Sequence, residues 1–473
     1  RSGFWNPDIA RLDVADYAAE TAAEYFKGHP GEPSFALGVN DALIFGESPE
    51  LLALVQPQRW FRERPDYSNL VFTFMNRAAN ELSRTHPDKY LGALAYYWAE
   101  NAPDFRLNPQ VVPFLTADRS QGYDPKFWKE EMDLQERWAR AAGVRRQTAD
   151  GSGRRAEVGT ESLGRRAESR TIADGRERKT DTAPELSDDG SRLLDSDAQT
   201  PNLKPQTPNP RPKTQPPPRR LGLYDYLYGG GFLIPRIHTK LLAENLRHAR
   251  RAGFTDYYAE IYPNWGLDGP MPWLTAQLLQ DPEQPADELL DEYYRRYFKE
   301  AAEPMRRFFE LCEQRWMGQP GPPYWLKHYR NDSQAIIFPL AVCGKLRAIL
   351  DEAKALATAV IVRERVKLVS DAFGVTERFV AFEAARDKVV RIALGQDVDW
   401  RATLSALQAY FTARREFIGY TTNLQHEQPL AMARIGWDDY LKNDPVAGAL
   451  LVAHGAAAAK AEGAKADAVL GSW

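Results

Sequence analysis

The sequence predicts an α/β protein, with a parallel sheet in its first part and an all-α region after about residue 284. Its strand-like segments are continuous apolar or aromatic runs, as strands buried on both faces are. Amphipathic segments with helical spacing lie between these runs, and such alternation favours parallel crossovers. Beyond about residue 284 the strand signals stop, while helical patterns continue.

Five segments carry the strand signal. They are 34–39 (SFALGV), 90–97 (YLGALAYY), 111–117 (VVPFLTA), 221–227 (LGLYDYL) and 256–262 (DYYAEIY). Only 13 residues separate Tyr97 from Val111, too few for a good crossover helix, so a bare loop is expected there.

Eight further segments show helical patterns. They cover 10–27, 69–84, 126–142 and 238–252 in the first part, and 285–316, 333–358, 361–392 and 399–417 in the second. Gly253 is placed to end the fourth of these helices. Pro304 is expected to kink or divide the fifth. The alanine-rich C-terminus predicts a frayed helix.

Residues 147–220 do not have the composition of a folded core. They contain no Phe, Trp or Tyr, and eight of the 18 residues from 201 to 218 are proline. Such a segment buries too little apolar surface to offset its chain entropy, so we predict a disordered insertion in a surface loop. A regulatory or docking segment is the alternative. The predicted domains are therefore 1–146 with 221–283, and 284–473.

Composition argues against several classes of partner. A net charge of −4 and a pI of about 6.1 give no reason to expect nucleic acid or an anionic membrane. No apolar run approaches the roughly 20 residues of a membrane span. Cys312 and Cys343 predict two buried thiols, with one disulfide as the alternative. The seven histidines lack paired metal-ligand spacing, so no metal and no cofactor is predicted.

The predicted strand ends carry the candidate site residues. In parallel α/β folds reactive groups gather where strands run into the following loops. Carboxylates among aromatic faces suit carbohydrate, and hydrolysis of a glycosidic bond needs two carboxyl groups. We assign the catalytic roles to Asp41 and Glu260. The predicted substrate-binding residues are Asn40, Tyr97, Trp98, Asp118, Arg119, Tyr224, Asp225 and Trp265.

Each candidate also has a structural interpretation. Asp41 could be a helix cap or turn residue, and Asp118 with Arg119 a plain ion pair. Asp225, between two tyrosines, could form a buried structural hydrogen bond, and Glu260 could do the same. The glycines at 229–231 do not form a phosphate loop, because the required spacing and the Lys-Ser/Thr sequel are missing.

Four segments in order resemble one bacterial family. They are NPDIARLDVADYAAETAAEYFKGHP with FALGVND, NLVFTFMNRAANELSRTHPDKYLGALAYYW, LYDYLYGGGFLIPRIHTKLLAENLRHARRAGFTDYYAE and WLTAQLLQDPEQPADELLDEYYRRYFKEAAEPM. The chain is identified on them, over 5–146 and 221–316, as a member of the domain of unknown function 4838 family. That family is distantly related to α-glucuronidases and other TIM-barrel glycoside hydrolases.

The resemblance implies a (β/α)8 TIM barrel that lacks its first strands here, followed by a helical domain. It places acids at Asp41 and Glu260 and favours an extracytoplasmic location. The predicted function is glycosidic-bond hydrolysis in a polysaccharide or oligosaccharide. A non-catalytic carbohydrate-binding barrel and an inactive truncated fragment are the alternatives. The sequence does not indicate the oligomeric state.

Overall fold

The computed structural model describes residues 6–38, 48–146, 217–227, 232–261, 264–319, 334–395, 399–428 and 444–470. The predicted site residues Asn40 and Asp41 lie outside these ranges. So does the predicted insertion, apart from residues 217–220. The other eight site candidates are all described.

The described part of the chain contains a curled sheet of five parallel strands, a half-barrel. Its strand order is β1-β4-β5-β6-β7, and a separate antiparallel hairpin pairs β2 with β3. The bounds are β1 Ser34–Ala36, β2 Arg59–Phe61, β3 Arg64–Asp66, β4 Tyr90–Ala95, β5 Val111–Ala117, β6 Gly222–Tyr226 and β7 Asp256–Glu260. Each predicted strand segment contains one strand of the sheet, which confirms the α/β class. Closure into an eight-stranded barrel stays a prediction.

Helices lie before, between and after the sheet strands along the chain. They are α1 Leu12–Gly28, α2 Pro49–Val55, α3 Ser68–Leu82, α4 Pro125–Ala142, α5 Thr239–Ala252, α6 Trp265–Asp268 and α7 Met271–Gln280. Asp124 caps α4 by accepting a 2.7 Å hydrogen bond from the Phe127 amide. Gly253 ends α5 at a φ of 102°, as predicted. The β4–β5 connection contains only a 3₁₀ turn, Tyr97–Ala99, and is otherwise the expected loop.

The two faces of the sheet differ in what covers them. Strand register places Leu94 beside Phe114, and Tyr224 beside Tyr258, on one face. Leu94 and Tyr258 are exposed there and Phe114 is half-buried, whereas Leu223 on the opposite face is buried. We call the first of these the open face. Its defining residues are Leu94, Phe114, Tyr224, Tyr258 and Glu260.

The C-terminal region is helical, as predicted. Its bounds are α8 Ala286–Phe298, α9 Ala302–Met317, α10 Gln334–Ile337, α11 Leu340–Leu356, α12 Val360–Ala393, α13 Trp400–Glu427 and α14 Val446–Leu470. The first long helix divides at Lys299, where φ is 45°, and not at Pro304. Pro304 lies in the first turn of α9, where a missing amide hydrogen costs nothing.

Hydrogen bonds join these helices to the loops of the sheet. Trp316 Nε1 donates to the Ser120 carbonyl at 2.9 Å, and Thr376 Oγ1 donates to the Leu233 carbonyl at 2.7 Å. The predicted division into a sheet domain and a helical domain stays a prediction. Cys312 and Cys343 are both free and buried. In the described ranges no helix is long and apolar enough to span a membrane.

Candidate functional site

A carboxylate and two tyrosines meet at the carboxyl end of the open face. Glu260 is the last residue of β7, and Tyr224 Oη donates a 2.6 Å hydrogen bond to its Oε1. The Glu260 carboxylate accepts no other hydrogen bond among the described residues, whereas the Glu260 main-chain carbonyl accepts one from the Leu227 amide at 3.1 Å. The ring of Tyr258 lies 4.7 Å from that of Tyr224 and is 53% exposed. This combination of a carboxylate with an accessible aromatic face suits a sugar ring.

Trp265 lies five residues beyond Glu260 at the start of α6. It is 37% exposed and borders a pocket of about 430 Å³ between α6–α8 and α12. Trp273, Tyr293 and Tyr297 also line this pocket, and the last two rings stack 5.3 Å apart. The pocket therefore extends an aromatic surface from Trp265 toward the C-terminal helices.

Tyr97 and Trp98 form the 3₁₀ turn after β4. Their rings meet edge to face at 4.4 Å, and Trp98 also contacts Tyr67 at 6.2 Å. The guanidinium of Arg64 lies 4.8 Å from the centre of the Tyr97 ring. Trp98 Nε1 is buried and has no hydrogen-bond partner in the described part of the chain. The φ of 48° at Tyr97 is a left-handed conformation that non-glycine residues adopt rarely.

Asp118 directly follows β5 and anchors a buried polar group at the same edge. It accepts hydrogen bonds from Ser120 Oγ at 2.7 Å and Gln121 Nε2 at 3.0 Å. Arg236 approaches Asp118 Oδ2 to 3.3 Å and donates to the Tyr226 carbonyl at 2.7 Å. Arg236 thereby ties the end of β5 to the end of β6.

Arg119 and Asp225 belong to the opposite face. Arg119 donates to Asp225 and to the Tyr224 carbonyl, the latter at 3.1 Å, and its Nε lies 3.0 Å from Glu131 of α4. Burial raises the pKa of Asp225, and Arg119 offsets this only in part. Because side chains alternate along a strand, Asp225 points toward the helices while Tyr224 points to the open face. The predicted contact of Asp225 with substrate does not fit this placement.

The Arg119 pair continues into a longer chain of charges. Arg62, at the tip of the β2–β3 hairpin, bonds to Glu100 and lies 3.0 Å from Glu131, and Arg64 also bonds to Glu100. We call this set the buried ion network. Its members are Arg62, Arg64, Glu100, Arg119, Glu131 and Asp225.

Comparison with known families identifies the chain. A family model described as "Domain of unknown function (DUF4838)" matches residues 1–144 and 218–310. The chain belongs to this family. No curated protein and no solved structure shows significant similarity to it. The DUF4838 match includes every strand of the sheet and ends within α9, so α10 to α14 lie beyond it.

Four residues of this DUF4838 chain were missed by the sequence analysis. Tyr258 lies two residues before Glu260 and shares its face, a relation that strand alternation could have indicated. Arg236, His238 and Asp268 follow strand ends by eight to 12 residues, where no local pattern distinguishes them. Burial raises the pKa of Asp268 to about 8, against the effect of Arg236. Burial and Arg236 lower the pKa of His238 to about 3.

The predicted site residues are thus brought together in part. Tyr224 contacts Glu260, while Asp118, Arg119 and Asp225 are buried among partners of opposite charge. No group of three or more His, Cys, Asp or Glu that could hold a metal occurs within the described ranges. The catalytic partner Asp41 lies outside them.

Proposed function

We propose that the open face is a carbohydrate cleft and that the protein hydrolyses a glycosidic bond there. The observation that carries this proposal is the hydrogen bond from Tyr224 to Glu260 beside the exposed ring of Tyr258. Glu260 and Asp41 form the carboxylate pair, one as acid and the other as base or nucleophile. The role of Asp41 rests on the sequence alone.

Tyr224 has two parts that act differently on a bound sugar. Its hydroxyl holds Glu260 Oε1, which orients the carboxylate and leaves Oε2 available to substrate. Its ring, with that of Tyr258, offers an apolar surface to a pyranose face. Trp265 and its aromatic pocket would accept a further sugar unit, and Tyr97 with Trp98 would form the opposite rim.

In this proposal the buried charged residues hold the end of β6 in place and do not contact the sugar. Arg119 donates to the main chain of Tyr224 and is held by Asp225. Asp118 holds Arg236, which in turn bonds the carbonyl of Tyr226. These contacts fix the end of β6, so we assign Asp118, Arg119 and Asp225 to supporting the tyrosines and not to binding sugar directly.

We further propose that the half-barrel is part of a complete (β/α)8 barrel. The five strands are all parallel, and the exposed apolar side chains Leu94 and Tyr258 lie on the face that would become the barrel interior. In the described sheet, β1 and β7 are edge strands, and exposed edges favour pairing with further strands. Additional strands would complete the cleft around Glu260.

Glu260→Gln is expected to reduce reducing-sugar release from a polysaccharide and oligosaccharide panel by at least about a hundredfold, because the amide cannot take part in proton transfer or nucleophilic attack. Glu283→Gln, an exposed glutamate paired with Arg251, serves as the control and should retain full release. Sugar binding without any release by the native chain would favour the carbohydrate-binding alternative. Equal release by native and Glu260→Gln chains would contradict the proposal.

Tyr224→Phe is expected to lower kcat by about tenfold, because it removes one hydrogen bond to a charged group. KM should change little, since the ring remains. Tyr258→Ala should do the reverse, raising KM by about fivefold through lost ring contact while kcat is kept. Steady-state kinetics on the substrate found in the panel separates the two effects, and an unchanged kcat in Tyr224→Phe would remove the Tyr224–Glu260 contact from the mechanism.

A further inference from the structure

A pocket of about 670 Å³ lies beside α4 and shares no lining residue with the open face. Its walls come from the bare β4–β5 loop at 101–106, from the β2–β3 hairpin and from α4. We call it the arginine pocket, since Arg59, Arg106, Arg137 and Arg140 line it. It is separate from the open face, where Glu260 lies.

The charges of the arginine pocket do not balance. Arg59 is paired with Asp66 at 3.1 Å and Asp104 at 2.9 Å. In the described part of the chain, Arg106, Arg137 and Arg140 form no ion pair, and the Nη2 of Arg137 reaches only the Asn101 amide oxygen at 3.4 Å. The described residues therefore leave three cationic groups of the pocket without an ion-pair partner.

The charges around Arg137 also favour an anion in the arginine pocket. Glu130, the second acid that lines the pocket, lies 3.4 Å from Arg62 of the buried ion network. Burial lowers the pKa of Arg137, and the positive charges of Arg62 and Arg140 lower it further, although Glu130 opposes them. An anion in the pocket would remove this repulsion and replace part of the lost hydration of Arg137.

Two phenylalanines give the pocket an apolar surface. The guanidinium of Arg137 lies 5.6 Å from the centre of the Phe61 ring, and Phe105 lines the loop wall. Both phenylalanines are only partly buried. Cationic groups beside aromatic rings match a ligand that carries an anionic group on a ring with apolar faces.

We propose that the arginine pocket binds an acidic sugar unit through its carboxylate or sulfate group. The anion specificity rests on the three arginines that form no ion pair among the described residues, while the choice of a sugar as carrier rests on the proposed function. The pocket would hold an acidic polysaccharide outside the cleft in which Glu260 acts. The arginine pocket thus indicates an acidic glycan as the class of substrate.

Calorimetric titration of the full chain with three probes tests this proposal. The probes are an oligogalacturonate, a sulfated galacto-oligosaccharide and a neutral cello-oligosaccharide of equal length. We expect an anionic probe to bind more tightly than the neutral one, and its preferred form distinguishes a carboxylate from a sulfate ligand. Equal affinity for all three probes, or binding of none, would overturn the proposal.

Two substitutions with opposite expected signs assign the binding to this pocket. The double variant Arg106→Gln, Arg140→Gln changes exposed side chains and should weaken anionic binding by at least about tenfold. Asp104→Asn should strengthen it by about threefold, because it removes a competing negative charge and keeps an oxygen acceptor for Arg59. Unchanged binding in the double variant would place the anion elsewhere and overturn the proposal.

Arg146→Gln and Glu260→Gln are the controls. Arg146 is exposed just beyond α4 and paired with Glu136 outside the pocket, so its loss should leave affinity unchanged. Glu260→Gln should also retain anionic binding, because the two sites are separate. A chain that binds the anionic probe but cleaves nothing would therefore reject the proposed hydrolysis while supporting the pocket.

Discussion

Glu131→Gln is expected to lower the free energy of unfolding by about 3–5 kcal/mol. Glu131 is fully buried in α4, where its carboxylate lies 3.0 Å from both Arg62 and Arg119. Glu131 links Arg62 of the β2–β3 hairpin to Arg119, which in turn pairs with Asp225 of β6. The neutral amide would leave both guanidinium groups in the interior with less compensating charge, and that loss is the source of the large effect.

The destabilisation caused by Glu131→Gln should depend on pH in a definite direction. Burial by itself would raise the pKa of Glu131, but Arg119 and Arg62 outweigh it and hold the pKa below its ordinary value. A depressed pKa in the folded state stabilises the fold above the pKa of the unfolded chain. The contribution is lost as pH falls through the folded-state value. The stability difference between native chain and variant should therefore shrink on acidification.

The neighbouring Glu130 provides the matched control. Its side chain is 41% exposed and 3.4 Å from Arg62. Glu130→Gln should cost less than about 1 kcal/mol, as exposed ion pairs do. Urea unfolding followed by tryptophan fluorescence measures both variants. Similar small losses for the two substitutions would mean that the buried ion network does not stabilise the fold through Glu131.

Asp268→Asn is expected to raise the free energy of unfolding relative to the native chain. This gain should be larger at alkaline than at acidic pH, by up to about 5 kcal/mol. Asp268 is buried in α6, its Oδ2 has no hydrogen-bond partner in the described residues, and its pKa is raised to about 8 by burial. The folded chain therefore binds this proton more tightly than the unfolded chain. Asparagine resembles the protonated acid in shape and does not titrate.

The sign follows from proton binding. Between the ordinary aspartate pKa near 4 and the folded value of about 8, the folded native chain holds a proton that the unfolded chain has released. Its stability contribution is complete below that window and is lost as pH rises through it. Asp268→Asn removes this loss, so the gain of the variant over the native chain should grow from about pH 4 and level off above about pH 8.

Thermal and urea unfolding across that range measure the difference. Leu267→Ala, one residue earlier and also buried, removes packing but no titratable group. Its destabilisation should therefore be the same at every pH. A stability difference for Asp268→Asn that does not vary with pH would show that the carboxyl is ionised equally in the folded and unfolded chains.

Local sequence patterns predicted most of the helices and strands. The five sheet strands were predicted because buried parallel strands are continuous apolar runs, and the end of α5 because Gly253 suits a left-handed cap. The β2–β3 hairpin was missed, because its three-residue strands leave no periodic signal and its turn uses Arg62 and Glu63 in place of glycine. The break at Lys299 was assigned to Pro304, which the first turn of a helix accommodates.

The sequence by itself determined the α/β class, the family and the set of polar residues at the strand ends, because all three depend on neighbours along the chain. Tertiary structure alone decided which of these residues share a face. Tyr224 and Asp225 are adjacent in sequence, yet one contacts Glu260 and the other Arg119. Their environments differ because successive strand side chains point to opposite faces, and partners such as Glu131 and Arg236 come from distant segments of the chain.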